Sequence, residues 1–271
     1  MSMSLTYTRY LELEKLLQLQ IPRSGSSWGE AEHDEHLFIV IHQVYELWFK
    51  QVLHELDFLG ELFEHHRQED PRTSRIRSTL QRVLTILKTM VAQVDILETM
   101  TPISFGSFRS RLEEASGFQS PQFRELEFLL GHRRRGMLQH HVENPGAMAR
   151  LERRLDEPPL FQLFLCFLRS SGYDIPESVL TFDPESPIVE MPEIRPELVR
   201  LYQVDDQLAQ ICENMVDFDE GLQEWRYRHV KMVERTIGHK PGTGGSAGAE
   251  YLRTTLFRPV FPDLWAIRSE L

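Results

Sequence analysis

The sequence predicts an all-α chain on three observations. Apolar residues recur at helical spacing over most of its length. Strand-like alternation is scarce, and no hairpin signal joins two such stretches. The breaks between periodic stretches are short and rich in Pro, Gly and Ser. No repeat is present. Neither side of the one long proline-rich connection carries a core of its own, so residues 1–271 are expected to form a single-domain helical bundle.

Taken in order, Tyr10, Leu11, Leu13, Leu16, Leu17 and Leu19 give a short amphipathic helix that ends in the turn-rich segment Ile21–Ser27. A long helix follows from about residue 32 to about residue 65, its stripe carried by Leu53, Leu56, Leu59 and Phe63. Asp70-Pro71 breaks it, and Thr73 or Ser74 caps a third helix that runs to about Met100. Thr101-Pro102 stops that one, and Ile103–Leu112 forms the next. A helix over 122–130 precedes a polar, arginine-rich stretch, 131–157, expected as surface helix. Pro158-Pro159 starts a helix through Leu168, and 173–196 is a long connection without periodicity. One long helix is expected from about Pro196 to about Thr236, then a glycine-rich stretch, then a helical and finally irregular end from Ala249.

Composition narrows the function classes. The hydrophobic share of 41% is that of an ordinary folded protein. A net charge of −11 repels phosphate backbones and anionic membranes, which argues against nucleic-acid or membrane binding. No run is long enough to span a bilayer, and no basic-then-apolar leader is visible. The two cysteines, Cys166 and Cys212, read as packed thiols, so a reducing, cytoplasmic setting is expected.

Several residues stand in settings that suit chemistry. His42 lies within the apolar run His36–Lys50, with Phe38 one turn before it. A polar ring there is either satisfied by a core partner or faces a ligand. His229 has Trp225 at i−4 and Met232 and Val233 beyond it, so one face around it is apolar. Such a histidine is a packed core residue or a haem-iron ligand shielded by bulky neighbours. Arg109 follows Phe105 and Phe108, where a guanidinium holds a carboxylate bidentately or snorkels to solvent. Gly242-Thr243-Gly244-Gly245-Ser246 lacks the lysine and the preceding strand of a phosphate loop. It reads as a lid in which Thr243 meets a ligand, or as a plain surface loop. His33-Asp34-Glu35-His36 and His65-His66 invite a non-haem iron reading. A solvated helix start and a helix end account for them better.

Five blocks, in this order, carry a family resemblance: Tyr7-Thr8-Arg9-Tyr10-Leu11, the run from His33 to Lys50, Ser116-Gly117-Phe118-Gln119-Ser120, Trp225-Arg226-Tyr227-Arg228-His229, and Gly242–Ser246. With them the chain resembles the tryptophan 2,3-dioxygenase family over nearly its whole length. The resemblance implies an all-helical homotetramer with one haem b per subunit. It implies cleavage of the indole C2–C3 bond of L-tryptophan by O2, giving N-formyl-L-kynurenine, the first step of the kynurenine pathway. His229 matches the family's axial iron ligand. His42 matches the distal histidine that meets the indole N–H and serves in catalysis, with Phe38 beside the ring. Arg109 matches the group that pairs with the substrate carboxylate, and Thr243 the one that meets its ammonium. Ser116 and Gly117 match residues lining the distal haem pocket, and Phe105 stands where some relatives carry a tyrosine. Tyr7, Tyr10 and Leu11, within an N-terminal segment of about 1–22, match residues that reach a neighbouring subunit's site. A non-catalytic haem sensor or carrier is the alternative; it would need the histidine and the apolar pocket but not Arg109 and Thr243 together.

Overall fold

The structure is a computed structural model that describes residues 4–27, 31–64, 72–187, 189–243 and 248–271. His65, His66 and Gly244–Ser246 therefore lie outside the described residues. Every regular element among the described residues is helical. The order is α1 (Tyr7–Tyr10), α2 (Leu13–Leu16), α3 (Ser24–Ser27), α4 (His33–Glu64), α5 (Arg72–Glu98), α6 (Pro102–Arg109) and α7 (Pro121–Leu129). Then come α8 (Pro145–Asp156), α9 (Leu160–Ser170), α10 (Arg195–Val204), α11 (Asp206–Ile237), α12 (Ala249–Arg253) and α13 (Pro262–Ala266), with short 3-10 turns between some of them.

The long helices α4 and α11 both pack on α5, and α9 lies against α4. Their apolar stripes meet in a core that includes Leu56, Leu59, Ile76, Val83, Phe164, Leu168, Ile211, Met215 and Phe218. Helix starts are set locally. Proline occupies the first turn of α6, α7 and α8, and Thr101, Ser120 and Asn144 cap those helices with a side-chain oxygen. The carboxylate of Asp219, buried on α11, accepts from the backbone N–H of Val260 (2.9 Å) and Phe261 (3.1 Å) and from Trp265 Nε1 (2.9 Å). It thereby clamps the end of the chain onto the bundle. No helix among the described residues is long and apolar enough to cross a membrane.

Four expectations need correction. The helix over residues 10–19 is two short turns, α1 and α2, separated where Glu12 takes a positive φ of 51°. The single long helix after Pro196 is two, α10 and α11. Asp205 leaves helical geometry, and its carboxylate caps α11 through the N–H groups of Gln207 and Leu208, both at 3.0 Å. The stretch 131–157 is not simply surface: Arg133, His141 and Arg154 are buried, and Leu151 and Leu155 help form a small second core. Glu35 is not solvated either. It is buried and accepts from the N–H of Arg23 (2.7 Å) and of Ser24 (2.9 Å).

His132, in the arginine-rich stretch, has a buried Nε2 without a hydrogen-bond partner. Burial, reinforced by the Arg226 guanidinium, pulls its imidazole down to about 4. The unfolded chain takes up that proton near pH 6.5 and the folded chain only near 4. Stability held above 6.5 is therefore lost as pH falls towards 4. Urea melts of wild type and His132→Asn between pH 7 and pH 4 should show a shallower decline for the variant. Parallel declines would mean that His132 contributes nothing to acid sensitivity.

Candidate active site

Three helices each present an aromatic ring and a functional group one turn apart, the spacing that places two side chains on one face. On α4, the Phe38 and His42 rings lie 4.1 Å apart. On α11, Trp225 stacks on His229 with 5.5 Å between ring centres and 12° between planes. On α6, Phe105 precedes Arg109 by the same interval. Helix α6 packs against both α4 and α11, which draws the three faces together.

The aromatic part is a triangle. Phe38, Phe105 and Phe108 have ring centres 5.7, 5.6 and 5.4 Å apart. Phe108 is completely buried and forms the base. Phe38 and Phe105 are only partly covered, so each keeps a ring face for a flat apolar ligand.

The two histidines differ in their bonding. His42 Nδ1 lies 2.7 Å from the carbonyl oxygen of Phe38. A carbonyl only accepts, so Nδ1 carries the proton and Nε2 is left with a lone pair. Burial lowers the pKa of His42, which keeps the ring neutral. His229 makes no hydrogen bond among the described residues, and its one ring contact is the Trp225 stack. Burial, with His42 close enough to add repulsion, pulls it down to about 4. It is a neutral imidazole, and it is partly open to the space it borders. That is the donor a metal of intermediate softness takes, and a face of Trp225 shields it. Neither histidine lines the small void of about 10 Å³ enclosed by Phe49, Leu87, Phe218 and Trp225.

Polar groups close the other end. Arg109 Nη2 donates to the carbonyl of Pro241. Among the described residues no carboxylate pairs with it, so most of its donors stay available. The Thr243 hydroxyl donates to the carbonyl of Ala115 at 2.7 Å. These two bonds pin residues 241–243 over α6 and the 115–119 turn. Ser116 caps that turn, its oxygen accepting from Phe118 N at 3.3 Å. A Cβ added at Gly117 would meet no atom within 4 Å, so bare backbone borders open space there.

The structure thus gathers Phe38, His42, Phe105, Arg109, Ser116, Gly117, His229 and Thr243 around one region. It does not bring in Tyr7, Tyr10 and Leu11, which are 74%, 71% and 40% exposed on an arm outside the core. The arm's base is fastened to α4: Gln20 donates to Gln43 at 2.6 Å, and Gln43 to the Leu19 carbonyl at 3.0 Å. His33 and His36 are exposed, and no three ligand-type residues converge on a metal position among the described residues. From the sequence Phe108 stood only as a neighbour of Arg109, and the carbonyls of Pro241 and Ala115 did not stand out at all. The i, i+3 spacing of Phe105 and Phe108 signals the first; nothing in a sequence signals the carbonyls.

The family model described as tryptophan 2,3-dioxygenase matches residues 1–158 and 198–271. A tryptophan 2,3-dioxygenase of Herpetosiphon aurantiacus is 55% identical over 271 residues, covering all of both chains. One from Anaeromyxobacter sp. is 54% identical, covering all of this chain and 97% of its own. One from Caulobacter vibrioides is 41% identical over the full length of both. On this match, spread over nearly the whole chain and over every part of the site, the chain belongs to the tryptophan 2,3-dioxygenase family.

Proposed function

We propose that this chain cleaves the indole ring of L-tryptophan with O2, yielding N-formyl-L-kynurenine as the opening reaction of tryptophan breakdown. The observation that carries the reading is one region holding a partnerless neutral imidazole, a second imidazole with a free acceptor nitrogen, an aromatic slot and a guanidinium that no carboxylate pairs with among the described residues. A haem sensor needs the first of these and not the last.

The residues fit haem b, one per subunit. His229 offers a neutral nitrogen with no protein partner, Trp225 walls one side, and the backbone at Gly117 leaves room for a flat group. Haem held through its iron by His229 supplies the dioxygen chemistry that adds both oxygen atoms across the indole C2–C3 bond.

The protein's own part is to bind and orient. Arg109 takes the substrate carboxylate in a charge-assisted pair. The Thr243 proton is committed to Ala115, so its oxygen lone pairs are free to accept from the ammonium group. Phe38 and Phe105 hold the indole plane on the Phe108 base. His42 Nε2 accepts from the indole N–H and fixes which way the ring faces. It acts as an orienting group: opening the C2–C3 bond does not need prior loss of that proton. Ser116 and Gly117 would line the haem pocket.

We infer further that the chain works as one domain in a cytoplasmic homotetramer. The arm supports this: Leu5, Tyr7, Tyr10, Leu17 and Leu19 are apolar, exposed and close in sequence. In an assembly, Tyr7, Tyr10 and Leu11 of one copy would cover the indole end of another's site.

Turnover under isotopically labelled dioxygen tests the reading: both labelled atoms should appear in one product molecule per tryptophan. Product carrying a single labelled atom, or none, would refute it. Arg109→Ala should raise KM for tryptophan by roughly one to two decades, the loss of about 1.5–3 kcal/mol of a charged hydrogen bond. An equal loss towards tryptamine, which has no carboxylate, would remove Arg109 from that role. His42→Ala should slow turnover yet leave measurable activity; complete inactivity with haem retained would make His42 an obligatory base instead.

A further inference from the structure

One buried carboxylate joins the parts of this site that the reaction itself does not join. Glu127 on α7 is 3% exposed. It accepts from Arg124, from Arg134 Nη2 at 3.0 and 3.1 Å, and from Arg226 Nη2 at 3.2 Å. Arg226 lies on α11, three residues before His229, and it also donates to the Thr255 carbonyl at 3.3 Å. Arg134 passes the constraint on, donating from Nη1 to the Tyr251 hydroxyl at 2.5 Å.

Tyr251 sits on α12, directly after the segment that carries Thr243. The two ends of that segment touch. Gly248 has φ +62°, and a Cβ there would fall 2.7 Å from the Lys240 carbonyl oxygen. The backbone at Lys240 and at Gly248 therefore meets at one neck, and α12 follows directly from it. Tyr251 holds α12 in two directions. Its hydroxyl meets Arg134, and its ring meets Phe118 edge-on at 5.3 Å. Phe118 belongs to the turn whose Ala115 carbonyl holds Thr243.

We propose that Glu127 and Tyr251 are positioning residues for the ammonium contact of Thr243, setting the neck of the 240–248 segment against the helix that bears His229. The charge pattern is consistent with a positioning role. Three guanidiniums on one carboxylate make a rigid hub, since a planar fork loses less freedom per bond than a lysine. A buried hub of this kind fixes geometry more than it adds stability. The two ends of the substrate are thus referred to a single group: the indole end through α11 and the head group through α12.

The inference rests on the proposed cleavage of tryptophan and on Thr243 meeting the substrate ammonium; wild-type turnover tests the first, and a raised KM in Thr243→Ala with unchanged inhibition by indole-3-propionate tests the second. The decisive variant is Tyr251→Phe in the haem-loaded enzyme, which deletes one hydroxyl and keeps the ring on Phe118. KM for tryptophan should rise by roughly threefold to tenfold, the range for one net hydrogen bond, with kcat and haem content unchanged. Inhibition by indole-3-propionate, which lacks the ammonium group, should stay at the wild-type level. Amide hydrogen exchange across 240–248 should quicken, a reading independent of turnover. Glu127→Gln should shift KM in the same direction and further. Unchanged KM and exchange in Tyr251→Phe would overturn the proposal. So would a fall in kcat together with haem loss, or equal weakening of indole-3-propionate, since each describes general loosening.

Discussion

A partly open, apolar-walled imidazole with no partner in the chain is the feature on which this site turns. The interior satisfies its polar groups as a rule, because an unmet donor or acceptor away from water costs about 1–3 kcal/mol. His42 obeys the rule through the Phe38 carbonyl, at 2.7 Å. His229 does not: no hydrogen bond reaches it among the described residues, and burial holds it uncharged. A neutral, apolar-walled imidazole with no partner in the chain is a donor left open to a metal. In the function proposed above, haem iron would take that nitrogen.

The arrangement is economical in its elements. Three helices, each with an aromatic ring one turn before a functional group, present His229, His42 and Arg109 to one region. The rings stiffen the groups they precede: Phe38 packs on His42 and Trp225 on His229. Helical scaffolds place such groups more firmly than loops do, which suits a reaction in which position counts for more than proton transfer. The one loop-borne contact, Thr243, is held by backbone bonds at its near end and by the Glu127 network at its far end.

Much of this was legible in the sequence, and the reasons differ by part. The long helices showed because α4, α5 and α11 bury apolar stripes over many turns, a signal too sustained to mistake. The break at Asp205 was hidden, because one capping residue inside a periodic run leaves the stripe nearly intact. The arginine-rich stretch misled for a physical reason: Arg133 and Arg154 are buried by virtue of partners distant in sequence, such as Glu125, and composition cannot show pairing. In the site, His42, His229 and Arg109 stood out as polar groups in apolar surroundings. The Glu127 hub could not, since its members read one by one as surface charges. Segment 159–197 falls outside the family match, yet α9 within it gives Phe161, Phe164 and Leu168 to the core. Packing there asks only for apolar bulk, so many sequences serve.

The most direct test of the central claim is the absorption spectrum of the ferrous, haem-supplemented protein beside that of His229→Ala prepared identically. The account predicts a Soret band of a haem bound through one imidazole in the wild type, perturbed by added L-tryptophan, and loss of tightly held haem in the variant. A variant that keeps the wild-type spectrum and its response to tryptophan would contradict it.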